Sequence, residues 1–183
     1  MKALDRLVRD LDAEFARDAR SARVIELLGL YAKEEEDWRE FALFSDATYT
    51  RNLIERLQRF ELMVLCWSAH QESPIHNHEG QDCWMAVLEG EMEEVRYPWP
   101  DPARHGPLLA RGSMVFEAGQ VGFIRDEIGL HMIRPARAES PGVTLHVYAA
   151  PFDECNCYSS ETGAVTRRRL SHHSVRGRLL APA

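Results

Sequence analysis

Two histidines one residue apart, His76 and His78, stand in Pro74-Ile75-His76-Asn77-His78-Glu79-Gly80-Gln81-Asp82-Cys83, with Gly90 following after Glu89. Alternate residues of a strand point to the same face, so both imidazoles can reach one ion while Asn77 faces away. A distant strand would have to supply a third ligand. His131, in Ile128-Gly129-Leu130-His131-Met132-Ile133, is the best candidate, since its apolar neighbours and a preceding glycine suit a strand entering a barrel interior. Three neutral imidazoles suit Fe, Zn, Cu or Ni equally, so the count leaves the metal open.

A second constellation lies on one predicted strand, where Thr144, His146 and Tyr148 alternate. They share a face and can form a hydrogen-bonded relay ending in a phenol. Arg51 presents a planar, permanently charged fork suited to a carboxylate, and Tyr49 is placed two residues away on the same strand face.

The histidine pattern resembles the first motif of the cupin superfamily: two histidines one residue apart, then a glutamate after three or four residues, and a glycine after six more. Here Cys83 holds the glutamate position and Gly90 the glycine. The chain is similar to the thiol dioxygenase branch, and to cysteine dioxygenases type I in particular. The likeness runs through Tyr49-Thr50-Arg51-Asn52-Leu53, Leu65-Cys66-Trp67, Pro98-Trp99-Pro100, Ile128-Gly129-Leu130-His131, Leu145-His146-Val147-Tyr148 and Pro151-Phe152-Asp153.

That resemblance implies an Fe(II) enzyme that joins both atoms of dioxygen to the sulfur of L-cysteine, giving the sulfinate. It assigns His76, His78 and His131 to the metal and Arg51 to the substrate carboxylate, with Tyr49 beside it as a second substrate-binding residue. Tyr148 becomes the catalytic phenol, His146 its orienting partner rather than a fourth ligand, and Thr144 the hydroxyl behind it. Cys83 becomes the partner of Tyr148 in a thioether cross-link. Relatives acting on 3-mercaptopropionate carry Gln at the position of Arg51, so Arg51 favours L-cysteine. A dioxygenase for such another small thiol, or a non-catalytic metal-binding cupin, remains the alternative. The animal enzymes read Ser-Pro-Pro after the tyrosine, with a cis peptide. Here Ala149-Ala150-Pro151 predicts a trans bond, because cis ahead of alanine costs roughly 2 to 3 kcal/mol more than ahead of proline.

The elements that must position these groups divide the chain in two. Residues 1 to about 44 read as a helical cap, with Leu4, Leu7, Val8 and Leu11, then Ile25, Leu27, Leu28 and Tyr31, at helical spacing. Lys33-Glu34-Glu35-Glu36-Asp37 reads as a solvated helix face or turn. From about residue 48 to 178, short apolar segments are punctuated by Gly and Pro, among them Phe60 to Trp67, Trp84 to Leu88, Met92 to Tyr97, Val121 to Ile124 and Val143 to Ala149. This texture predicts a mainly β fold, a small antiparallel jelly-roll barrel with an N-terminal helical segment, forming one domain over 1–183.

Composition sets limits on partners. The chain has 183 residues, 45% of them hydrophobic, and 22 basic against 29 acidic residues give a net charge of −7. That balance argues against nucleic acid and acidic membranes, and Arg167-Arg168-Arg169 reads as a solvated strand or turn. No apolar leader or span is evident, and Cys66, Cys83, Cys155 and Cys157 make no secreted disulfide framework. A cytoplasmic location is expected, and the resemblance implies a monomer. His70 and His105 read as loop residues, His172 and His173 as surface residues, and Cys157 as an ordinary buried thiol.

Overall fold

The computed structural model describes residues 2–101 and 106–181; His105 lies outside them. Two helices come first. Helix α1 (Ala3–Arg17) buries Leu4, Leu7, Leu11 and Phe15, a stripe of three- and four-residue steps, and α2 (Arg23–Glu34) buries Val24, Leu28 and Tyr31. A short 3-10 turn, Asp37–Phe41, follows. Asp37, expected to be a solvated member of the acidic run, instead ties the cap together. Its carboxylate accepts the backbone N–H of Leu4 at 2.9 Å and the Tyr31 hydroxyl at 2.7 Å. One carboxylate thus serves an unpaired donor of the first turn and a phenol on the neighbouring helix.

The rest is two facing sheets. The first contains β1 (Thr50–Arg56), β2 (Glu61–Trp67), β4 (Asp82–Glu89), β7 (Val121–Ile124), β9 (Gly142–Ala149), β12 (Ser174–Val175) and β13 (Arg178–Leu179), in the order β13-β12-β1-β2-β9-β4-β7. The second contains β3 (Ile75–His76), β5 (Glu91–Tyr97), β6 (Gly112–Glu117), β8 (Leu130–Pro135), β10 (Glu154–Tyr158) and β11 (Val165–Arg169), in the order β11-β10-β3-β8-β5-β6. The mainly β barrel with a helical cap is therefore as expected, with each predicted strand segment overlapping an observed one. At the β4–β5 turn Gly90 has φ +83°, and a Cβ there would lie 2.7 Å from the Pro141 carbonyl oxygen. Only glycine fits that crossing.

Strand alternation splits the central sheet into two cores. Leu62, Val64, Trp84, Ala86, Leu145 and Val147 face the helices and pack with Leu11, Phe15 and Leu28. Met63, Leu65, Trp67, Cys83, Met85 and Tyr148 face the barrel interior. Every second residue of β9 therefore belongs to the helix interface, and the others, Thr144, His146 and Tyr148, belong to the interior.

The Ala149–Ala150 peptide bond is cis, contrary to the trans geometry expected from the missing proline. The local preference of an isolated dipeptide is overridden by tertiary partners: Asp82 pairs with Ala149 across the β4–β9 ladder, and the Ala150 N–H donates to Gln81 Oε1.

Candidate metal centre and substrate cavity

The three predicted ligands converge. One ring nitrogen from each of His76, His78 and His131 lies within 4.8 Å of the other two. His76 and His131 face each other across the β3–β8 ladder as paired residues. Strand β3 ends at His76, so His78 sits on the following loop, where the Asp126 carboxylate accepts the backbone N–H groups of His78 and Gly80 at 2.7 and 2.8 Å. Asn77 does face away, and its side-chain oxygen accepts the Asn156 N–H at 2.8 Å.

The hydrogen bonds leave the right atoms free. His76 donates Nδ1–H to the Pro74 carbonyl at 2.9 Å, and His131 Nδ1 lies 3.0 Å from Glu94 Oε1. Each Nε2 is thereby left with a lone pair. His78 is fully buried, and neither of its ring nitrogens has a hydrogen-bond partner. Burial holds His76 neutral, down to about 4, and pushes His78 and His131 well below the ordinary 6.5. Three uncharged, converging imidazoles with an orphaned buried pair of nitrogens fit a transition-metal ion. Glu94, itself buried, is bonded to the Arg96 guanidinium at 3.0 Å, so the carboxylate behind His131 is anchored in turn.

The relay is also assembled. The Trp67 indole N–H donates to Thr144 Oγ1 at 2.9 Å, Thr144 Oγ1 lies 3.0 Å from His146 Nε2, and His146 Nδ1 lies 3.2 Å from the Tyr148 hydroxyl. His146 points its two nitrogens at hydroxyls, outside the metal-ligating trio. Cys83 is the direct cross-strand partner of Tyr148, and its Sγ lies 4.0 Å from His146 Nδ1.

A cavity of about 830 Å³ opens beside these groups, lined among others by Tyr49, Arg51, His76, Tyr148, Arg168 and His172. Arg51 is buried, with Nε and Nη2 lacking hydrogen-bond partners, and Tyr49 stacks on Trp67 at 4.6 Å between ring centroids. Cys155 and Cys157, Sγ atoms 4.0 Å apart, line the same space. His172 and His173, expected on the surface, are half-buried and line the cavity because the C-terminal segment folds back on β1: the His173 N–H donates to the Arg51 carbonyl. Arg167 to Arg169 form an exposed strand, as expected, with Arg167 paired to Glu79 and Glu154. His70 is an exposed loop residue.

Sequence reasoning missed Glu61, Glu94 and Asp126. Nothing in the local sequence marks them, Glu94 and Asp126 standing next to the acidic Glu93 and Glu127, and only the pairing of remote segments brings them beside these groups.

Comparison with known proteins agrees with the geometry. Cysteine dioxygenase type 1 of Danio rerio is 32% identical over 164 residues, covering 88% of this chain and 82% of that protein. The Homo sapiens protein of the same name is 31% identical over 178 residues, covering 96% and 88%. Among solved structures, an uncharacterized conserved protein with a double-stranded β-helix domain from Klebsiella pneumoniae superposes with a TM-score of 0.52 at 14% identity, covering 74% of this chain and 90% of its own. The sequence pattern of the family Cysteine dioxygenase type I matches residues 1–161. With its trio of histidines, its relay and its relatives all in agreement, the chain belongs to the cysteine dioxygenase type I family.

Proposed function

We propose that this protein oxidises the thiol of L-cysteine with dioxygen to L-cysteine sulfinate, using Fe(II) held by His76, His78 and His131. One observation carries the reading: a guanidinium with uncommitted donors, a phenol at the end of a buried relay and His76 border one cavity, and His76 converges there with His78 and His131 in a neutral three-histidine set. A bound ferrous ion would supply the redox chemistry that brings thiol and dioxygen together, and would favour the thiolate.

The protein's own groups do the rest. Arg51 offers Nε–H and Nη2–H to the substrate carboxylate, a charge-assisted fork, with Tyr49 beside it. The relay orders protons from its donor-only end. The Trp67 indole donates to Thr144, whose own proton goes to His146 Nε2, and the remaining Nδ1–H goes to the Tyr148 oxygen. Tyr148 then has its O–H left to donate into the cavity. Burial keeps that phenol well above its ordinary 10, so it acts as a donor.

Cys83 and Tyr148, paired across β4 and β9, form a thioether in this reading. The Cys S–H and one ring C–H are lost, one S–C bond forms, and dioxygen takes the two electrons and two protons. Four buried free thiols suit a reducing compartment, and no helix among the described residues is long and apolar enough to cross a membrane. We read a single-domain, cytoplasmic monomer, and the net charge of −7 weighs against a nucleic-acid or acidic-membrane partner.

Oxygen uptake by the Fe(II)-loaded protein is the test, with L-cysteine and 3-mercaptopropionate in parallel and the sulfur product identified by mass. Uptake with cysteine and a product 32 Da heavier, about two oxygen atoms, is expected. Preference for 3-mercaptopropionate would overturn the substrate, and no uptake with either thiol would overturn the activity.

A further inference from the structure

Glu61 is the least expected residue near the cavity. It opens β2, an otherwise apolar strand, and is fully buried, yet neither carboxylate oxygen has a hydrogen-bond partner. Two guanidiniums flank it, Arg51 Nη2 at 3.7 Å and Arg56 Nη1 at 3.6 Å. The same Nη1 of Arg56 is held by Asp153 Oδ1 at 2.7 Å.

The backbone is arranged to produce this cluster. Arg51 pairs with Leu65 and Leu53 with Met63, but the β1–β2 register then shifts, so that Glu55 faces Leu62 and Arg56 faces Glu61. Strict alternation from Arg51 would turn Arg56 away from the interior. The bulge inserts one residue and brings it to the face of Glu61. Glu61 in turn pairs with Tyr148, which pairs with Cys83, so the carboxylate belongs to the same cross-strand row as the phenol.

A buried carboxylate without hydrogen bonds is costly unless it neutralises something. Here it lies between two cations, and its distance from Arg51 is that of an ion pair that leaves guanidinium donors uncommitted. A carboxylate fully chelating Arg51 would block the substrate, whereas an apolar residue would leave a buried cation without a counter-charge. With Arg51 and Arg56 against Glu61 and Asp153, the cluster carries no net charge before a substrate arrives.

We propose that Glu61, braced by Arg56, is the positioning residue for Arg51, holding its guanidinium in place for the substrate carboxylate without occupying its donors. The inference rests on Arg51 being the carboxylate site of the thiol dioxygenase reading. It places substrate selectivity partly in a residue that does not touch the substrate.

The experiment compares Glu61→Gln and Glu61→Asp with the unaltered Fe(II)-loaded protein. It measures kcat and KM for L-cysteine, and anaerobic Kd values for L-cysteine and for cysteamine, which keeps the thiol and amine but has no carboxylate. Glu61→Gln should raise KM and Kd for L-cysteine about five- to tenfold, a modest part of what misplacing a binding group can cost. Its kcat should change little, and cysteamine should bind as before. Glu61→Asp keeps the charge one methylene back and should fall between. It carries the test alone if the glutamine variant does not fold. Unchanged or tighter cysteine binding in the folded variant would overturn the proposal, as would equal loss for cysteine and cysteamine. An unaltered protein that takes up no oxygen with any thiol would instead overturn the activity on which the proposal stands.

Discussion

Glu94 Oε1 and His131 Nδ1 lie 3.0 Å apart in a region where both side chains are almost wholly shielded from water. The contact fixes which nitrogen of His131 is available to an ion and which way the ring faces. Glu94→Gln should therefore weaken Fe(II) binding by about 10- to 100-fold, while His131→Ala should remove it. Competition against a chelator of known affinity reads both, and unchanged affinity in Glu94→Gln would show that the carboxylate does not tune the ligand.

Arg51→Gln should keep the metal, because Arg51 is outside the histidine trio. It should raise KM for L-cysteine by about tenfold or more, the loss of one charge-assisted fork. Kinetics beside a metal assay separate the two effects. Full activity would remove Arg51 from substrate binding.

Thr144 is the hinge of the relay, with the Trp67 indole on one side and His146 on the other. Thr144→Val preserves shape but leaves a buried N–H and an imidazole nitrogen without partners. The cost should be about 1 to 3 kcal/mol of stability, measured by urea unfolding. A lowered kcat with metal content intact should accompany it.

Turnover should slowly convert the protein to a species lighter by two hydrogens, about 2 Da, as Cys83 joins Tyr148. Intact mass reads it. Cys83→Ala and Tyr148→Phe should abolish the shift, and its persistence in either would point to other residues.

Acid should destabilise the metal-free protein from below pH 6.5 downward. Burial lowers His76 and His172 to about 4 and holds His78, His131 and His146 well below 6.5. The unfolded chain therefore binds protons that the folded chain refuses. Stability rises with pH wherever the unfolded state holds more protons, so it is lost as pH falls from 6.5 toward 4 and below. Urea midpoints across that range test it, and a flat profile would contradict neutral burial of these rings.

The ligands were legible because their spacing is local. His76 and His78 need only two-residue periodicity to share a side, and the pair survives even though β3 ends at His76. The same holds for Thr144, His146 and Tyr148, since β9 is regular across all three. His131 was singled out only by its strand-like setting after a glycine, since its pairing with His76 joins segments over fifty residues apart and no local spacing links the two. Glu61 was invisible for a stronger reason. At the start of a strand a glutamate reads as a solvated end, and only the register shift opposite it reveals a buried counter-ion. The cis bond before Ala150 escaped likewise, since its partner Gln81 lies on another segment.

The two-sidedness of β9 ties heat resistance to chemistry. Val143, Leu145 and Val147 are gripped by the helical cap through the same backbone that aims Thr144, His146 and Tyr148 inward. A void opened at Leu28 or Phe15 would loosen that backbone from behind. Laboratory selection for a sturdier cap would thus also act on the aim of a phenol on the far side of the sheet, with no residue of the cavity altered.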